Sequence, residues 1–116
     1  MPDIRIKRIY EPASDDDGTR VLVDRLWPRG MRKEDAKLSL WLKEIAPSNE
    51  LRKSFSHMPS RFAEFTRHYD EELAANSDAV ARMKALMAEG RVTLLYAVHD
   101  TEHNHALVLA DYLRSH

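Results

Sequence analysis

Asp24, Arg25, Trp27 and Arg29 fall within six positions, in the string Val21-Leu-Val-Asp-Arg-Leu-Trp-Pro-Arg-Gly30. A turn needs neither two arginines nor an indole for its own stability. A site that holds an anion uses both. A guanidinium donates two parallel hydrogen bonds to a carboxylate or phosphate. An indole offers a face on which a base or a guanidinium stacks. Pro28 stiffens the segment, and Gly30 lets the backbone turn or approach a ligand closely. The structural alternative is that Asp24 pairs with a neighbouring arginine to pin the loop while Trp27 packs as core.

A second polar block, His99-Asp-Thr-Glu-His-Asn-His105, precedes an apolar helical pattern. Free N–H groups and the positive dipole end at a helix start attract anions. The same dipole favours a neutral first-turn histidine, the form needed in a base. His103 or His105 is therefore a candidate general base or acid, oriented by Asp24 or Asp100. Asn104 and Asp100 are candidate ligand contacts or plain helix caps. On a helix His103 and His105 project to nearly opposite sides, so a shared metal is not expected. Tyr69 sits on a core stripe, with a hydroxyl that could reach a pocket edge.

These blocks need elements to position them. Ile4–Ile9 reads as a strand, and Arg20–Leu26 as a second one suited to burial on both faces. Pro12–Gly18, with Asp15-Asp16-Asp17, reads as a solvated turn. Residues 30–37 read as a polar connection, and 38–42 fit either a short strand or a helix. Ser48 is a good N-cap for a short helix through Leu51–Phe55, which His57-Met-Pro59 interrupts. Arg52 and Lys53 read as its solvated face. Phe62, Phe65, Tyr69 and Leu73 repeat at helical spacing. Asn76-Ser77 starts the next helix, and Gly90 suits the position after its end. Val92–Val98 is the strongest strand. Asp100 or Thr101 should cap the last helix, with Ala106, Leu109, Ala110 and Leu113 inward.

The order strand, helix pair, buried strand, helix predicts an α/β sandwich: one domain over residues 1–116, with a small, mainly parallel sheet flanked by helices. In such sheets ligands collect at the carboxyl ends of strands. Both polar blocks fall there, and they meet if their strands are parallel neighbours.

Composition narrows the function classes. The 116 residues carry 43% hydrophobic and 32% charged residues and no cysteine. That removes disulfides and thiolate chemistry and fits a reducing cytoplasm. No apolar run approaches the ~20 residues that span a bilayer, so no membrane partner is expected. The N-terminus lacks the apolar core of a signal peptide. A net charge of −1 argues against a broad nucleic-acid footprint. No glycine-rich phosphate loop, nucleophile elbow or His-Glu-x-x-His pair is present, so no cofactor or metal is expected.

Val23-Asp-Arg-Leu-Trp-Pro-Arg-Gly30, Trp41-Leu-Lys-Glu-Ile-Ala-Pro-Ser48, the Phe65…Tyr69…Glu72-Leu73 helix, and Leu94-Leu-Tyr-Ala97 followed by His103-Asn-His-Ala106 resemble the YeaO-like family. The resemblance covers nearly the whole chain. It implies a small bacterial α/β domain, cytoplasmic, with no established reaction. Three functions remain open. One is an enzyme acting on a small anionic, phosphate- or nucleotide-like substrate, with Arg25 and Arg29 as the clamp. Another is a non-enzymatic module that binds a small anion or a nucleic-acid end, with Trp27 stacking. The third is a structural or interaction protein in which both blocks brace the fold.

Overall fold

Val92–Tyr96 is buried along its whole length, as expected for a central parallel strand covered on both faces. The computed structural model describes residues 3–56 and 58–116; His57, expected in a helix break, lies outside them. In chain order the elements are β1 (Ile4–Arg8), β2 (Thr19–Leu22), α1 (Lys33–Ala36), β3 (Leu40–Trp41), α2 (Asn49–Phe55), α3 (Phe62–Ala75), α4 (Ser77–Glu89), β4 (Val92–Tyr96) and α5 (His105–Ser115). The sheet order is β1-β4-β2-β3, and every pairing is parallel. Ile4 and Thr19 both lie opposite Val92, on either side of the central strand.

Strand side chains alternate between faces, and the core divides accordingly. Ile4, Val21, Val92, Leu94 and Tyr96 pack with Phe65, Tyr69, Leu73, Met83, Leu109 and Leu113 of the long helices. Ile9, Leu22 and Leu95 point the other way. There Ala36 of α1 covers them, with Trp27, Met31, Leu38 and Trp41.

The open segment 38–42 resolves as a strand, the two residues of β3, and a 3-10 turn at Lys43–Ile45 follows it. The second strand is shorter than expected. It leaves the ladder after the Val23 N–H reaches the Leu95 carbonyl at 3.1 Å. Beyond that point the Asp24 side chain takes over the pairing, accepting from the Ala97 N–H at 3.1 Å. Residues 33–36, expected as an irregular connection, form the single turn α1.

The turn before β2 is solvated at Asp15 and Asp16, as expected, but Asp17 makes it a structural centre. Ser14 and Asp17 form a reciprocal capping box. Asp17 is buried and accepts from Arg20 Nη1 at 2.5 Å and Lys7 Nζ at 3.2 Å. Gly18 follows at φ +65, and a Cβ there would sit 2.4 Å from the Arg91 carbonyl oxygen. The backbone conformation and the lack of room both demand glycine. Gly18→Ala should cost roughly 1–3 kcal/mol, read as a lower calorimetric Tm with an unchanged circular dichroism spectrum. An unchanged Tm would mean that the turn relaxes freely.

Candidate functional site

Because β2 and β4 are parallel neighbours, the chain leaving each strand ends at the same edge. The two polar blocks meet there. Asp24 Oδ2 accepts from the Ala97 N–H at 3.1 Å. His105 Nε2, at the start of α5, lies 3.1 Å from the Val23 carbonyl oxygen and 2.9 Å from Asp24 Oδ1. Both neighbours are acceptors, so Nε2 carries a hydrogen, and among the described residues Nδ1 has no partner. The N–H serves Val23, and Asp24 Oδ1 stays closed off from solvent with no well-aligned donor.

The N-cap of α5 is Asn104, one position before His105. Its side chain accepts from the Leu107 N–H at 3.1 Å and donates to the Asp100 carbonyl at 2.9 Å. Asp100, expected among the caps, closes an earlier turn. It accepts from the Glu102 N–H at 2.9 Å, the His103 N–H at 3.0 Å and His103 Nδ1 at 3.0 Å. The Glu102 N–H, with help from His103, holds the Asp100 carboxyl below the usual carboxylate range. Asp100 therefore holds His103 by both its backbone and its ring. The His103 ring also meets the Phe62 ring edge-on at 5.3 Å.

Between these groups and α2 lies a pocket of about 130 Å³, lined on its polar side by Asp24, Arg25, Arg52, His103, Asn104 and His105. Its apolar side is Leu26, Phe55, Phe65 and Val98 with the Ala46-Pro47 backbone. Arg25 donates through Nε to the Pro47 carbonyl at 3.2 Å and through Nη2 to the Ala46 carbonyl at 3.0 Å. Those carbonyls hold the side chain in place without cancelling its charge, and among the described residues nothing takes Nη1. Arg52 donates to Asn49 Oδ1 at 3.2 Å. Among the described residues, neither guanidinium has a carboxylate within 4.0 Å.

Sequence reasoning read Arg52 as a solvated face. It is exposed, yet the buried Leu51 and Phe55 orient α2 so that this face borders the pocket. The N-cap Ser48 fixes the entry angle: its Oγ accepts from the Leu51 N–H at 3.1 Å and donates to Glu72 Oε2 at 2.5 Å.

The other candidates lie elsewhere. Trp27 turns to the opposite face of the sheet, edge-on to Trp41 at 5.4 Å, with Nε1 donating to the Met31 carbonyl at 2.8 Å. Arg29 is exposed and outside the pocket, and its carbonyl accepts from the Tyr10 hydroxyl at 2.8 Å. Tyr69 is fully buried and donates to the Ile45 carbonyl at 2.6 Å, so its hydroxyl braces the 43–48 connection and reaches no pocket edge. Burial pushes its phenol well above the ordinary tyrosine range. Among the described residues no group of three His, Asp or Glu side chains could hold a metal ion. Nor is any helix among them long and apolar enough to cross a membrane.

No solved structure matches this chain. It is 49% identical over 113 residues to "Uncharacterized protein YeaO" of Escherichia coli (strain K12), covering 97% of this chain and 98% of that protein. It is 46% identical over 110 residues to "Uncharacterized protein Mb3100c" of Mycobacterium bovis and to "Uncharacterized protein Rv3073c" of Mycobacterium tuberculosis, covering 95% of this chain and 92% of each relative. The family model described as "Inactive DUF488-N3 subclade" matches residues 3–116. The chain thus belongs to that subclade and to the YeaO-like proteins within it.

Proposed function

We propose that this protein binds a small anion, without turnover, in the pocket between the carboxyl ends of β2 and β4 and the helices α2, α3 and α5. One observation carries the reading. Two guanidiniums, Arg25 and Arg52, border one small pocket, and among the described residues neither has a carboxylate partner. Half-buried charges are paired in most folds, so the half-buried Arg25 beside an apolar wall, with Arg52 at the pocket's border, calls for an anionic guest. A chain without cysteine fits action in the reducing cytoplasm.

A catalytic reading has one specific observation in its favour. The Asp24–His105 contact at 2.9 Å is the arrangement that orients a general base. Against it, no serine or threonine lines the pocket to act as nucleophile, and the subclade is described as inactive.

Arg52 separates ligand binding from folding, because its side chain is exposed and, among the described residues, reaches only Asn49. With acetate, benzoate, phosphate and adenosine monophosphate as probes, titration calorimetry should find at least one that saturates a single site. Arg52→Gln should weaken that ligand by roughly 10–100-fold, the worth of one charge-assisted hydrogen bond, with Tm unchanged within about 2 °C. If no probe binds the wild type, or if Arg52→Gln binds as well as the wild type, the pocket is not an anion site and the bracing role of these residues is the correct one.

A further inference from the structure

The size and walls of the pocket narrow the anion further. This step rests on the anion-binding reading above and names the class of ligand within it. A cavity of about 130 Å³ is close to the one of about 150 Å³ that takes up a benzene molecule. A nucleotide has a base, a sugar and a phosphate, each filling much of such a space, so only one of the three would be enclosed. Inorganic phosphate is small enough but leaves the apolar half unfilled. That half is substantial: the Phe55 and Phe65 rings lie 4.8 Å apart at its floor. Leu26 stands at its edge 59% exposed, although an apolar side chain of that size gains by being covered.

Charge points the same way. The carboxylate of Asp24 borders the same space as the two arginines. Two guanidiniums and one carboxylate leave one positive charge in excess, which a monoanion balances and a phosphate, at about −1.5 to −2 near neutral pH, overshoots. A carboxylate brings a single charge, and its planar pair of oxygens matches the guanidinium fork. The free Nη1 of Arg25 and the exposed Arg52 head supply that fork from two sides.

We infer that the ligand is a small organic monocarboxylate whose apolar body is a single ring or a short branched chain. Its carboxylate sits between Arg25 and Arg52, and its body lies against Leu26, Phe55, Phe65 and Val98.

The test is the order of affinities among probes of graded shape. Benzoate should bind at least roughly tenfold tighter than acetate, since burying a ring of that size is worth about this factor or more. Benzoate should also bind at least about tenfold tighter than inorganic phosphate, and adenosine monophosphate should not compete with it. Leu26→Ala should weaken benzoate severalfold and leave acetate unchanged, with an unaltered Tm because Leu26 contributes little to the core. Equal binding of acetate and benzoate, or tighter binding of phosphate or the nucleotide, overturns the carboxylate assignment while leaving an anion site standing. Failure of every anion to bind overturns both readings.

Discussion

Replacing Asp17 with alanine should cost this fold about 3–5 kcal/mol, the usual effect of stranding a buried cation. For a chain of this length that is a fall in Tm of roughly 12–20 °C. Asp17 is 6% exposed and Arg20 5% exposed. Arg20 Nη1 donates to Asp17, and its Nε and Nη2 donate to the Ala36 carbonyl at 3.2 and 2.8 Å. The Thr93 hydroxyl donates to the Asp17 carbonyl at 2.7 Å. Asp17 thus holds β2 through its carboxylate and β4 through its backbone carbonyl, and Arg20 carries the link on to α1 beneath the second face of the sheet. Without it, the Arg20 charge stays buried and loses its only counter-ion within the network. The pH dependence has a definite sign. Burial alone would raise the Asp17 carboxyl, but the Ser14 N–H, Lys7 and Arg20 outweigh it and hold it below its ordinary value of 3.8. A depressed folded-state value means that the contribution is complete above the unfolded value and is lost as pH falls through the folded one. Wild-type stability should therefore drop steeply below about pH 4, and Asp17→Asn should flatten that arm of the curve. A loss under about 1 kcal/mol in Asp17→Ala at pH 7 would class the network with exposed ion pairs.

The same centre marks where sequence ran out. Asp15, Asp16 and Asp17 are identical in type and adjacent, so no local signal separates the two exposed ones from the buried one. The distinction comes from Arg20, three residues on, and from Lys7 on a different strand. Where periodicity sets the answer, it was legible. Val92–Tyr96 reads as a buried strand, Phe65, Tyr69 and Leu73 as one helical face, and Ser48 as a cap. Each rests on contacts or backbone angles that a short window dictates. The meeting of the two polar blocks was legible too, because parallel neighbours place their following loops at one edge.

Direction within those loops was not legible. Once the chain leaves β2, side-chain alternation no longer applies. The Asp24–Gly30 string splits, with Asp24 and Arg25 toward the helical layer and Trp27 onto the opposite face. An indole large enough to stack on a ligand is also large enough to close a core, and the exposed Leu22 and Leu95 face of the bare sheet needed closing. Arg52 was hidden for the opposite reason: an exposed helix position gives no sign that another element lies across from it.

Benzoate affinity should fall by roughly 10–100-fold in Arg25→Gln, the worth of one charge-assisted hydrogen bond. Arg25 is half-buried. The Pro47 and Ala46 carbonyls fix its side chain through Nε and Nη2 at 3.2 and 3.0 Å. Neither carbonyl carries a charge, so the positive charge is held in place without being neutralised, and it borders the same space as the apolar wall. A guanidinium stays charged at any pH the fold withstands, so the loss should be the same across the neutral range. Gln keeps an amide that donates toward one of the two carbonyls, and the Tm should fall by only a few degrees. Benzoate that binds Arg25→Gln as tightly as the wild type would place that guanidinium out of the ligand's reach and leave recognition to Arg52 alone.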